Sequence, residues 1–253
     1  MFDGIEITTP WETTRCMRRA VKNGLKLWDG ARFVLADVPV DPREARRILP
    51  WGMKLDDSAL ATLFIADYPK TAFTVPYREA AVLIHVRTPL GKGLHCCWMV
   101  VDDDTALILG REYLGYPKKL AVIEYEESAG GVQASASRRG AAVLSLNAVR
   151  GARQTDPPPI FDVKTFNAGG PGQFYLIQPI WLFRPREVIH ESYEAEVAVS
   201  IAESEFDPIG RIASGRPVRG RLAVSDIVGS RYNVPVGLAG PQWVMNTYKM
   251  RFR

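Results

Sequence analysis

Beyond Leu55 the chain is cut into short apolar runs by Gly, Pro and Asp, and this punctuation limits the fold more than any other feature. The runs are Ala59–Ala66, Ala80–Val86, His95–Val101, Ala106–Leu109, Leu120–Tyr125, Gly131–Ser137 and Ala141–Ala148. Each has the length and residue types of a β-strand, and few helical stretches separate them. Such a series points to a mainly β (α+β) chain whose core is a largely antiparallel sheet or barrel with a few short peripheral helices. Gly130-Gly131 and Arg138-Arg139-Gly140 mark two hairpin turns.

The flanking segments extend the pattern. Arg32–Val38 is an apolar run within Leu27–Val40, and a helix follows it: Asp41 suits the N-cap, Pro42 the first helical position, and Ala45, Ile48 and Leu49 recur on one face before Pro50. Three prolines in Gln154–Pro159 predict a rigid exposed connector. Because strand-like runs resume at Phe174–Phe183, Val188–Ala198 and Leu222–Val228, it is not read as a domain boundary, and residues 1–253 are taken as one domain. Phe206–Ile212 reads as a loop feeding a short strand, and Trp243–Phe252 as a final strand or extended arm from which Tyr248 reaches a pocket. Residues 1–26 are expected to form an N-terminal arm.

Composition removes several classes of function. The balance of 32 basic and 28 acidic residues gives a net charge of +4, but the charges are interspersed, so the concentrated basic stripe that nucleic acid requires is missing. Three cysteines, Cys16, Cys96 and Cys97, are odd in number and two are adjacent, which favours reduced thiols. The start lacks the basic-then-apolar pattern of a signal peptide and no stretch reaches bilayer-spanning length, so a cytoplasmic protein without membrane contact is expected. His85, His95 and His190 lack metal-ligand spacing, and no Gly-x-Ser-x-Gly elbow occurs. Neither a metal nor an organic cofactor is expected, and the Gly-rich Phe166–Gly172 lacks the residues of a phosphate cradle.

One stretch stands apart from this ordinary background. In Gly110-Arg111-Glu112-Tyr113-Leu114-Gly115-Tyr116-Pro117-Lys118-Lys119-Leu120, two adjacent lysines sit among apolar and backbone-stiffening neighbours. At least one ammonium is therefore expected to face a dry interior, where losing water disfavours the charged form. A lysine that is neutral part of the time condenses with a ketone or aldehyde to an iminium, which accepts electrons from a bond broken beside the former carbonyl. On an extended segment, successive side chains point to opposite faces, so Lys118 and Lys119 cannot both line one pocket if this stretch is a strand.

Gly-Arg-Glu followed by Tyr-Pro-Lys-Lys-Leu resembles the signature of the acetoacetate decarboxylase family, and the likeness extends more weakly from about Trp28 to Ile212. The resemblance implies an acetoacetate decarboxylase-like fold, Lys118 as the Schiff-base lysine, Lys119 as its catalytic neighbour and a homo-oligomer. Tyr77-Arg78-Glu79 resembles the family's Tyr-x-Glu segment, which would put Tyr77 at the substrate and Glu79 in proton transfer during imine formation and hydrolysis. Tyr116 is assigned to orienting substrate or to the apolar wall, and Met99, with Trp98 and Leu94, to desolvating the lysine. Two positions depart from the pattern. Ala31 falls where decarboxylating members carry Arg, with Arg32 adjacent as the candidate substrate contact, and Phe64 falls where they carry a second Glu. The substrate implied is a small keto acid, cleaved to carbon dioxide or, with an aldehyde co-substrate, condensed in an aldolase-dehydratase reaction. A binding protein that keeps the fold without an activated lysine is the alternative from outside enzymology.

Overall fold

The computed structural model describes residues 25–253. The expected N-terminal arm thus lies, up to residue 24, outside the described residues, as does Cys16. Strands dominate: β1 (Lys26–Pro39), β2 (Lys54–Leu55), β3 (Leu60–Tyr68), β4 (Tyr77–Thr88), β5 (Gly91–Val101), β6 (Lys118–Leu120), β7 (Val122–Ser128), β8 (Gly131–Arg138), β9 (Ala141–Arg153), β10 (Thr165–Ala168), β11 (Gln178–Ile201) and β12 (Arg219–Ala239). Among the described residues three helices accompany them, α1 (Pro42–Ile48), α2 (Asp104–Leu114) and α3 (Pro241–Phe252), with a 3-10 turn at Ile209–Arg211.

The strands form one sheet in the order β10-β5-β4-β3-β1-β12-β11-β9-β8-β7. The short β10 pairs with β5 and also with β11, so the path curls back towards its start, as the barrel-like expectation required. Because side chains alternate along each strand, the curled sheet has two apolar layers. An inner layer holds Ala31, Phe33, Phe64, Tyr68, Tyr77, Leu83, Met99, Tyr116 and Phe183. The second layer holds Val34, Ile65, Val82, Trp98 and Val100 with α1, α3 and the β8–β9 hairpin.

The helix after Asp41 forms as its sequence dictates. Asp41 accepts from the backbone of Arg43 and Glu44, Pro42 opens the first turn, and Ala45 and Ile48 face the core. Both hairpins turn where the glycines predicted them, at Ala129-Gly130 and Arg139-Gly140. Four other expectations are corrected. Ala106–Leu109 lies in α2, not in a strand, because Asp103 caps the helix by accepting from Ala106 N at 2.7 Å, and four apolar letters do not distinguish the two periods. Trp243–Phe252 is the helix α3: Pro241 sits at its start, and the buried Trp243, Thr247 and Met250 recur at helical spacing. The runs Phe174–Phe183 and Val188–Ala198 share one long strand, β11, which begins only at Gln178 and absorbs Pro185 in register shifts. Phe206–Ile212 ends in the 3-10 turn, leaving only an isolated bridge from Ala213 to Val40.

Candidate functional site

The lysine pair owes its position to the way α2 ends. Gly115 adopts φ +71°, the left-handed conformation that closes a helix, and its N–H returns to the carbonyl of Gly110. Tyr116 and Pro117 then carry the chain into β6, which runs parallel to β5 with Lys118 beside Met99 and Lys119 beside Val100. Arg111, on the last turn of α2, donates to the carbonyl of Lys118 at 2.9 Å and to that of Arg251 at 3.1 Å, which ties helix, strand and C-terminal helix together. Glu112, the next residue of the same turn, is exposed.

Lys118 points to the inner layer. It is 5% exposed, and its Nζ lies 2.6 Å from Oε2 of Glu79, itself 5% exposed. Tyr77 and Glu79, two residues apart on β4, share that face, and the Lys118 ammonium stands 5.5 Å from the centre of the Tyr77 ring. Above it, Trp28 Nε1 donates to the Tyr77 hydroxyl at 2.8 Å, and the Tyr68 and Tyr77 rings pack 4.8 Å apart. The Tyr68 hydroxyl is directed at the other oxygen of Glu79, at 3.4 Å. Burial, reinforced by the charge of Glu79, raises the phenols of Tyr68 and Tyr77 well above their usual range, so both stay protonated as hydrogen-bond donors. Tyr116 is likewise raised, chiefly by burial, and Asn167 and Thr165 face its hydroxyl.

These groups enclose a cavity of about 40 Å³ lined by Glu79, Lys118, Tyr68, Tyr116, Thr165 and Trp28 together with Leu83, Met99, Leu114, Phe161, Phe183, Pro185 and Ile227. A larger surface groove of about 690 Å³, between Glu194–Val197 and Pro217–Arg221, has no buried acid–base pair among its lining residues and is the weaker candidate despite its size. The small cavity combines a buried amine, a carboxylate that can exchange a proton with it, and an aromatic wall that keeps water out. That combination suits carbonyl chemistry at the amine.

Tyr77 stands beside Lys118 without lining the cavity, and three more of the residues proposed from sequence lie farther from it. Lys119 points to the opposite layer, as alternation on a strand requires, and its ammonium bonds the carboxylate of Asp207. Burial lowers the Lys119 amine to about 8, against the pull of Asp207. The Asp207 carboxyl is also lowered: burial opposes its charge, but Lys119, Trp98 and Arg138 all donate to it and prevail. Both members of the pair can shift downward because Asp207 has three donors whereas Lys119 shares its one carboxylate with Arg138. Arg32 lies on the outer side of β1 and pairs with Glu127 at 3.6 Å, while its neighbour Ala31 faces inward; one residue of offset decides the face. Tyr248 is 48% exposed on α3 and stacks on Phe252, because the tail is a helix and not an extended arm. Trp98, too, faces the second layer, whereas Met99 and the half-buried Leu94 belong to the inner one.

Tyr68, Trp28, Phe161, Phe183 and Thr165, none of them marked by a motif, also reach the site from segments distant in the chain. A signal existed for Tyr68 alone: pairing across the β3–β4 hairpin sets it opposite Tyr77. Gly110, the first residue of the Gly-Arg-Glu signature, lies against the Lys118 stem. A Cβ built there would stand 2.5 Å from Cδ and Cε of Lys118, so the lysine stem lies directly on bare helix backbone. Gly110→Ala is therefore expected to change the melting temperature little, since the gain of about 1 kcal/mol that alanine brings to a helix interior opposes the cost of pushing the buried Lys118 stem aside. The displaced Nζ should nonetheless cost about 10²-fold in the rate of any reaction at Lys118, the usual effect of a misplacement near 1 Å. Thermal melting measured beside single-turnover kinetics would check the split.

The sequence profile of the family described as Acetoacetate decarboxylase (ADC) matches residues 7–235. Decarboxylase DEC1 of Cochliobolus heterostrophus is 28% identical over 88 residues, and the match spans 34% of each chain, so only about a third of that relative's length is represented. Among solved structures, acetoacetate decarboxylase from Legionella pneumophila superposes with a TM-score of 0.72 at 15% identity, covering 83% of this chain and 86% of that one. The enduracididine biosynthesis enzyme MppR complexed with pyruvate gives 0.69 at 16% identity, with 82% and 89% covered. At such identities these two likenesses establish the fold.

Proposed function

Because this chain belongs to the acetoacetate decarboxylase family, we propose that it is a carbon–carbon lyase acting on a small keto acid through a Schiff base at Lys118. The reading rests on one observation above all, the buried Lys118–Glu79 pair at 2.6 Å on the wall of an aromatic cavity. Glu79 takes a proton from the ammonium, the freed amine adds to the carbonyl carbon, and the same carboxyl returns a proton as water leaves. The iminium then draws the electrons of the adjacent carbon–carbon bond on to nitrogen. With a β-keto acid the fragment released is carbon dioxide, and the enamine is protonated and hydrolysed. Among the described residues no arginine lines the cavity, so a carboxylate bound against them is poorly solvated, and losing it as a neutral gas relieves that cost.

Phe64 supports a second reading within the same chemistry. It occupies the inner layer where decarboxylating members are expected to carry a second Glu, and it packs against Phe33 with ring centres 6.2 Å apart. An aldol condensation and dehydration between pyruvate and an aldehyde, with Glu79 and the protonated Tyr68 handling protons, needs no second carboxylate. The fold neighbour MppR has been seen both with pyruvate and with its condensation product with imidazole 4-carboxaldehyde.

Borohydride reduction in the presence of acetoacetate or pyruvate tests the common step. A mass increase confined to the peptide bearing Lys118 is expected. Carbon dioxide release from acetoacetate then selects the first reading, and product formation only from pyruvate plus an aldehyde the second. A protein that gives no adduct with any keto acid would be a binder, and the lyase reading would be lost.

A further inference from the structure

The apolar end of the cavity is closed by a side chain from a segment with no regular structure of its own. Residues 154–164 connect β9 to β10 without helix or strand, and Phe161 projects from them into the inner layer. It lines the cavity together with Leu83 and Phe183, and it packs on Phe33 at 5.2 Å and Phe64 at 5.5 Å between ring centres. Through Phe161, the space beside Lys118 ends at this aromatic cluster.

The position of Phe161 is held by a clasp. Three successive backbone N–H groups, of Ile160, Phe161 and Asp162, donate to the single carboxylate of Glu187, at 2.8 Å from Ile160 and 3.0 Å from Asp162. Consecutive amides converging on one anion form a nest, which fixes backbone dihedrals as well as location. Glu187 is brought to the loop by the register shifts around Pro185 in β11. The Asp162 side chain adds a second tie, to Arg184 at 2.8 Å and to Arg231 at 3.0 Å. A loop with three prolines, a nest and two guanidinium contacts presents Phe161 as a fixed wall.

We propose that Phe161 is the specificity-determining residue of this site, the surface against which the apolar substituent of the keto acid stops; the inference rests on the Schiff-base reading above. The lining divides by chemistry. Tyr116, Thr165, Tyr68 and Glu79 supply the polar groups, whereas Phe161, Phe183, Leu83, Pro185 and Ile227 are apolar. A substrate therefore turns its carboxylate towards the hydroxyls and its remaining substituent towards Phe161. The substrate class is a monocarboxylic keto acid with a short apolar chain. A dicarboxylic keto acid is disfavoured, because its second carboxylate would be buried against phenyl rings with no cation among the described residues at that end to meet it.

Borohydride trapping at Lys118 across a series of straight-chain monocarboxylic keto acids, with one dicarboxylic member, tests this in the wild type and in Phe161→Ala, Phe161→Leu and Phe161→Trp. The wild type should show a chain-length cut-off, with trapping falling about tenfold or more over one or two methylenes. Phe161→Ala should move the cut-off to longer chains, Phe161→Leu should do so by less, and Phe161→Trp should move it to shorter ones; the dicarboxylic acid should react poorly in all. The leucine variant retains most of the buried surface, so it reports even if the alanine variant unfolds. If the wild type traps keto acids but the length profile is the same in every folded variant, the role of Phe161 is overturned while the Schiff base stands. If the wild type traps none, both fall together.

Discussion

Lys118→Arg is expected to abolish adduct formation with keto acids and to lower turnover by at least on the order of 10³-fold, with the melting temperature nearly unchanged. A guanidinium keeps a positive charge opposite Glu79, so the buried carboxylate retains a counter-ion, but it is not a nucleophile at neutral pH. Lys118→Met separates the two roles of the amine in another way. It too cannot form an imine, yet it leaves Glu79, 5% exposed, without its cation, and breaking a buried pair from one side costs about 3–5 kcal/mol unless the carboxyl protonates. The arginine variant should thus be silent and stable, and the methionine variant silent and less stable near neutral pH. Trapping by mass spectrometry and thermal melts on the same preparations would check the pair, and an arginine variant that still turns over would remove the chemical role of Lys118.

The parts of this molecule that were legible in its sequence are those governed by neighbours in the chain. Asp41-Pro42 announced a helix because capping is a matter of two or three residues, and Gly130 and Gly140 announced hairpins for the same reason. Tyr77 and Glu79 share a face because two residues of strand return to the same side, and Lys118 and Lys119 are divided by the same rule. Where the period was ambiguous the sequence was silent: Ala106–Leu109 and the tail from Trp243 fit strand and helix alike, and distant partners decided the matter. Arg32 was misplaced by one register step, which on a strand is a whole face. Trp28, Tyr68 and Phe161 escaped notice because their meeting depends on strand order and on Glu187 gathering the amides of a remote loop, neither of which leaves a local mark.

Asp207→Asn should produce the largest loss of stability away from the cavity. Asp207 is fully buried and accepts from Trp98 Nε1 at 2.8 Å, from Arg138 at 2.9 Å and from the Lys119 ammonium. Lys119 in turn donates to the carbonyl of Lys249 at 3.2 Å, so one carboxylate fastens β5, β6 and β8 and reaches α3 through the lysine. An asparagine of the same shape leaves two cations without their anion, and the expected cost is about 3–5 kcal/mol, or roughly 10 °C in melting temperature for a chain of this size. Acid should narrow the difference. Since the hydrogen-bond donors hold the Asp207 carboxyl below its ordinary 3.8, its contribution is fully present above that pH and is lost as the pH falls through the lowered value. Melts of wild type and variant should therefore be far apart at neutral pH and converge only in acid below 3.8, as the pH passes the lowered value and the wild-type carboxyl also becomes neutral. Because Lys119 and Asp207 face away from the cavity, borohydride trapping at Lys118 should persist in the Asp207 variant at temperatures where it stays folded. Loss of trapping there would show that the second lysine acts across the strand after all, through the backbone it shares with Lys118.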